Sequence, residues 1–212
     1  MYKIFILFIL GLLAPILHAQ EKVGERYAGI EATALKYGDD LLDEVYDSVY
    51  ILGAVGNFPI NPNLDLYSSL RFTSLDGELV EGGDRIKYDG DAWGLETELL
   101  YHFKPDQALN PFLSGKLAFI DGKAGASNGF DKITESVSTW GYGVRAGLSY
   151  AANETFSLIP SIGYLEGEDD GQFILRLQST FDLSEQVFIA PFVQYAEKTE
   201  NSRLGLTLNH SF

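Results

Sequence analysis

The chain has 212 residues, with no cysteine, 46% hydrophobic residues and a net charge of −15, which is the length of one domain with a leader. The absent cysteines exclude a disulfide framework, and the acidic excess repels phosphate backbones, so nucleic acid is excluded as a partner.

At the start, Lys3 precedes an apolar stretch from Ile4 to Leu17, and Leu17-His18-Ala19 precedes the polar Gln20. This reads as a secretory signal over 1–19, cleaved after Ala19, with 20–212 as the exported domain. The stretch is shorter than the roughly 18 residues a spanning helix needs, and no comparable run follows. Without Lys3, fourteen basic residues stand against thirty acidic ones, a net charge near −16.

From Tyr27 onward the hydrophobic pattern has period two. Trp93, Leu95, Thr97, Leu99, Tyr101 and Phe103 take one parity, while Gly94, Glu96, Glu98, Leu100 and His102 take the other. Such alternation predicts strands with two unlike faces. It places ten of them, at 27–36, 46–58, 63–73, 88–103, 111–120, 139–151, 155–165, 172–181, 187–196 and 203–212. Pro160 and Pro191 fall inside two of these, where a missing donor predicts a local bulge.

Four alternate strands share one nine-residue pattern. Leu64 to Phe72 aligns without gaps with Pro111 to Phe119, Phe156 to Tyr164 and Val187 to Tyr195, with Leu, Ile or Val seventh and Phe or Tyr ninth. An aromatic at a fixed end of every second strand predicts an interfacial girdle. The connections sort accordingly. Those at 59–62, 104–110, 152–154 and 182–186 are mostly short and carry Pro or Asn, whereas those at 37–45, 74–87, 121–138, 166–171 and 197–202 include the longest and are rich in Gly and acid. Membrane barrels have short periplasmic turns and longer outer loops, so the second set should face outward and both termini inward.

The polar face decides between lipid and water outside. It carries Gly94, Gly141, Gly143, Gly147, Ser69, Ser114, Ser149 and Ser161, small residues that suit a crowded lumen, in place of the Lys and Glu of a solvated sheet. Its charges are Glu31, Asp65, Glu96 and Glu98 against Arg71, Lys116, Arg145 and Arg176. Balanced charges in a confined interior can pair, which limits their desolvation cost. Glu96 and Glu98 are expected to face Lys116 and Arg145, and Tyr67, Phe112, Phe188 and Phe192 to add filling. The fold class is therefore all-β, an antiparallel up-and-down transmembrane barrel of about ten strands.

The last strand puts Leu204, Leu206, Leu208, His210 and the final Phe212 on one parity. It resembles the terminal strand of bacterial outer-membrane barrels, which implies that Phe212 is an assembly signal read by the barrel assembly machinery. The run Phe58-Pro59-Ile60-Asn61-Pro62-Asn63-Leu64-Asp65-Leu66, followed by Leu70 and Phe72, is similar to the second hairpin region of the transmembrane domain of outer membrane protein A and its opacity-type relatives. That resemblance implies a small monomeric barrel in the cell outer membrane with a largely side-chain-filled interior, surrounded by lipid and lipopolysaccharide. Most such relatives have eight strands, so eight is the alternative to ten.

Enzyme chemistry is not expected. His18 leaves with the signal, and His102 and His210 fall at periplasmic strand ends, as interfacial histidines, so no base remains for an outer active site. The acid clusters at Asp39, Asp40, Asp43, Glu44, at Asp76, Glu78, Glu81, Asp84, and at Glu166, Glu168, Asp169, Asp170 match no calcium-loop spacing and read as solvated loops. Neither metal nor cofactor is expected. Two functions stay open, a structural or surface-interaction barrel with a plugged lumen and a narrow porin-like channel.

Overall fold

The computed structural model describes residues 24–38, 48–81, 84–128, 132–167 and 171–212. Residues 1–19, expected to be a leader, and the acids at 39–44 and 168–170 lie outside the described residues.

Ten strands follow one another in the chain: β1 (Tyr27–Lys36), β2 (Ser48–Asn61), β3 (Leu64–Glu81), β4 (Asp84–His102), β5 (Leu109–Ser127), β6 (Lys132–Asn153), β7 (Phe156–Glu166), β8 (Gly171–Asp182), β9 (Val187–Ala196) and β10 (Ser202–Ser211). Each pairs antiparallel with its chain neighbours, and β1 closes on β10, from Tyr27 opposite Ser211 to Lys36 opposite Ser202. Closure leaves no edge within the wall, which a spanning sheet requires because lipid offers its backbone no hydrogen bonds.

Alternation sorts the side chains as the period predicts. Leu95, Leu99, Leu117, Val144, Ile162, Leu175 and Leu206 face outward, whereas Tyr67, Phe112, Phe188 and Phe192 are buried inside. Two aromatic belts bound the outward band. At the loop end, Trp93 packs on Phe119, Phe119 on Trp140, and Tyr164 on Phe173. At the turn end, Tyr101 packs on Phe103 and Phe156 on Phe181. From Trp93 to Phe103 is about 33 Å of strand, hence about 25 Å along the axis at a tilt of about 40°. That matches the hydrocarbon thickness such a barrel must span.

Three of the expected features are corrected. The segments 74–87 and 121–138, read as loops, are mostly strand: β3 and β4 stay paired out to Glu81 and Asp84, and β5 and β6 out to Ser127 and Lys132. Their Gly and acid content suggested coil, yet the alternation of Leu75, Leu79, Ile86 and Tyr88 with charged residues continues the ladder beyond the belt. Second, neither Pro160 nor Pro191 makes a bulge. Pro160 keeps register opposite Leu177 and Pro191 opposite Leu206, while the ladder to the other neighbour is interrupted, between Gly147–Ser161 and Tyr150–Leu158 and between Gln178–Phe192 and Phe181–Ile189. A missing donor removes pairs locally without adding a residue, so the strand need not shift. The register shifts fall instead beside turns, at Pro59/Asn61 and Ala151/Asn153. Third, His102 is no interfacial residue. It is fully buried, because Leu99, Tyr101 and Phe103 take the lipid parity of this strand end and leave His102 on the other.

Candidate functional site

Inward side chains form layers down the lumen. At the loop end Leu35, Tyr37, Val49, Leu75, Ile120 and Ala124 make an apolar cluster. Toward the turn end Val55, Tyr67, Leu100, Phe112 and Ile159 make a second, with Tyr27, Phe188 and Ala190 beside them. Phe112 and Phe192 fit because the facing positions are glycines: a Cβ at Gly147 would collide with the ring of Phe112, and one at Gly205 with the ring of Phe192. Between the apolar layers lies a belt of charge.

All eight charged residues singled out from the sequence, Glu31, Asp65, Arg71, Glu96, Glu98, Lys116, Arg145 and Arg176, are buried on the inward parity. They are grouped in two clamps and a floor. In the first clamp Arg71 Nε donates to Glu31 Oε1 at 2.9 Å and its Nη2 to Oε2 at 3.1 Å, while Nη1 lies 3.8 Å from Glu96 Oε2. Arg71 is on β3 and Glu31 on β1, so the contact skips a strand. The residue between them in register is Gly53, whose Cβ would approach Arg71 Cγ to 3.0 Å. Gly94 flanks Arg71 on the other side. A guanidinium reaches over glycine where a larger side chain would block it.

The second clamp repeats the device across β5. Arg145 Nε on β6 lies 3.0 Å from Glu98 Oε1 on β4, and Ser114 Oγ donates to the same carboxylate oxygen from the strand between. Lys116 sits directly opposite Glu98 on β5, within electrostatic reach of both Glu96 and Glu98. Arg145 also lies over the ring of Phe112 at 5.0 Å. Glu96, expected to face Lys116 and Arg145, also has the guanidinium of Arg71 within 4 Å. Arg176 donates to Gln178 Oε1 at 2.7 Å and lies 3.9 Å over the ring of Phe192.

Asp65 belongs to the floor. Its Oδ2 accepts from Gly24 N at 2.9 Å and Asn57 Nδ2 at 3.2 Å, and lies 3.2 Å from His102 Nε2. Asn110 Oδ1 accepts from Lys104 N, which turns the Asn110 amide nitrogen toward His102 Nδ1 at 3.2 Å. Nδ1 must then accept, so the ring proton sits on Nε2, which lies close to Asp65 without hydrogen-bonding to it. Below this floor a polar cavity of about 320 Å³ opens at the turn end, lined among others by Glu25, Asn110, Ser149, Thr180 and Asp182.

Sequence reasoning missed Arg203, buried on the inward parity of β10. Its signal was present, since it is the first residue of the strand read at 203–212 and alternates with Leu204 and Leu206, but it was not counted among the inward charges. Among the described residues no three His, Cys, Asp or Glu side chains converge as metal ligands. Phe212 faces outward, with its backbone N donating to Arg26 O at 3.0 Å.

The outer membrane protein beta-barrel domain model matches residues 4–202. Among solved structures, the chain is similar to the transport unit of the autotransporter AIDA-I from Escherichia coli, at 8% identity and TM-score 0.60 over 96% of this chain and 95% of that one. It is also similar to an outer membrane channel from Pseudomonas putida F1, at 11% identity and TM-score 0.50 over 93% of this chain and 99% of that one. At these identities the likeness is one of fold. A comparison with curated proteins gives no sequence match.

Proposed function

Since the chain belongs to the outer membrane protein beta-barrel domain family and resides in the cell outer membrane, we propose that it is a surface-interaction barrel with a plugged lumen and no catalytic step. The observation that carries this reading is the sheet that β3–β6 raise beyond the outer aromatic belt. From Trp93 to Asp84 this is about 30 Å of strand. On β6, pairing with β7 begins only at Tyr142, so among the described residues Lys132 to Gly141 pair with β5 alone. Natural edge strands are usually blunted by proline, inward charges or bulges. Here the run Ile133-Thr134-Glu135-Ser136-Val137-Ser138-Thr139 has no proline and one charge, and it offers its free backbone groups to an extended segment of another protein by strand addition. The clamps and apolar layers support the plug. Lipid and lipopolysaccharide surround the wall, the barrel assembly machinery inserts it, and the protein works as a monomer.

Two measurements test this reading together. The refolded protein in planar bilayers should show no steady conductance, and an array of extended peptides should retain it. Thr134→Pro and Ser136→Pro should abolish that retention while the barrel still folds. Steady open-channel conductance in the wild type would replace the plug with a channel, and peptide retention unaffected by both prolines would remove the edge from the proposal.

A further inference from the structure

The lipid-facing wall carries a groove of its own. On the outside of β6–β9 an apolar groove of about 510 Å³ follows the row in which Ala146 pairs with Ile162, Ile162 with Leu175 and Leu175 with Tyr195. Ile162, Leu175 and Tyr195 are exposed there and meet hydrocarbon. Leu148 and Pro160 line the groove one row closer to the turn end. On β6, Leu148 lies between the exposed Tyr142 and Tyr150, about 15 Å below the level of Tyr142 and so within the hydrocarbon.

The carbonyl of Leu148 has no donor in the ladder. In an antiparallel sheet the N–H and C=O of one residue point to the same neighbour, and successive residues alternate. Pro111, opposite Leu148 on β5, turns its carbonyl to β4, where it accepts from Phe103 N at 3.0 Å. Ala151 N on β6 donates to Ala108 O, just before β5, at 2.8 Å. Odd residues at this end of β6 therefore point to β5, and Leu148 points to β7. There it meets Pro160, since Gly147 stands opposite Ser161. Proline has no N–H to give. The next outward residues of β7 stand opposite other partners, Ile162 opposite Ala146 and Leu158 opposite Tyr150, and the hydroxyl of Ser161 makes no hydrogen bond among the described residues. A backbone acceptor left without a donor is strongly disfavoured in hydrocarbon.

We propose that this groove binds a long-chain fatty acid from the bilayer, its chain lying along Ala146, Ile162 and Leu175 and its carboxyl O–H donating to the Leu148 carbonyl oxygen. Hydrocarbon surrounds the groove, so the occupant arrives through lipid and is itself an acyl chain. The donor that the wall lacks fixes its polar end. Phospholipid tails carry no donor and would fill the groove without meeting that acceptor, whereas a carboxyl withdrawn from water stays protonated and supplies one O–H.

The test titrates the refolded protein in micelles with palmitic acid or with methyl palmitate, which has the same chain and no donor, and counts bound molecules by native mass spectrometry. Palmitic acid should bind about tenfold more tightly than the ester, the worth of a hydrogen bond to an otherwise unsatisfied acceptor. Pro160→Ala supplies the missing N–H, so it should bring the two affinities together. Ala146→Phe should block the groove and lose both ligands. Should Ala146→Phe fail to fold, Pro160→Ala decides alone, since it adds a ladder bond. Equal affinity for acid and ester in the wild type, no binding of either, or a preference for the acid that persists in Pro160→Ala would overturn the proposal.

Discussion

At the scale of single residues, the lumen shows how parity and reach divide the work. Parity alone puts Glu98 and Arg145 inside, but only Ser114 and Lys116 on the intervening strand separate them, and a long guanidinium crosses that gap to a buried carboxylate. Removing one partner leaves a buried charge, at a cost that reaches about 3–5 kcal/mol in well-buried pairs. Arg145→Met and Glu98→Gln should therefore each lower the urea midpoint of the protein in micelles, and the double variant should cost less than the sum of the two. Arg85→Gln removes a largely exposed partner of Glu78 at 3.5 Å and should shift the midpoint by no more than about 0.5 kcal/mol. Additive single effects at Glu98 and Arg145 would show that the clamp is not coupled. The charges themselves were legible in the sequence. Of their partners, Arg145 for Glu98 was expected, whereas Glu31 for Arg71 was not, because pairing patterns reveal adjacent strands while Arg71 acts two strands away, over Gly53.

Among elements, strand existence was legible throughout, since ten alternating runs became ten strands in the same order. Strand length was not. Composition marked 74–87 and 121–138 as coil, whereas backbone pairing continues through them because polar side chains are tolerated on both faces once a strand leaves the lipid. Proline was misjudged in the same way, as a source of extra residues when it only deletes ladder bonds. The last strand carries its own expectation. Phe212 projects outward at the turn end and contributes no buried contact to the lumen, so its loss should act on insertion more than on stability. Deleting it should lower the amount of protein recovered in the outer membrane, while the fraction that does insert keeps the wild-type urea midpoint. Normal recovery of the truncated chain would deny it the role of an assembly signal.

For the molecule as a whole, a closed sheet tied internally by ion pairs should resist detergent until heated. Unboiled protein should run as a compact band on a denaturing gel and shift on boiling, and identical mobility in both samples would be incompatible with the closed β1–β10 pairing. The clamps also bear on how such a cylinder comes to be closed. Each joins strands within a run of three, β1 to β3 and β4 to β6, with partners 40 and 47 residues apart, whereas the final seam joins Tyr27 to Ser211. A curling, still open sheet can thus settle its interior electrostatics early, from local sequence. The two ends meet along a row in which Gly29 faces Asn209, Glu31 faces Thr207 and Thr33 faces Gly205, so along this row the closing step zips backbone to backbone, with neither clamp straddling the seam.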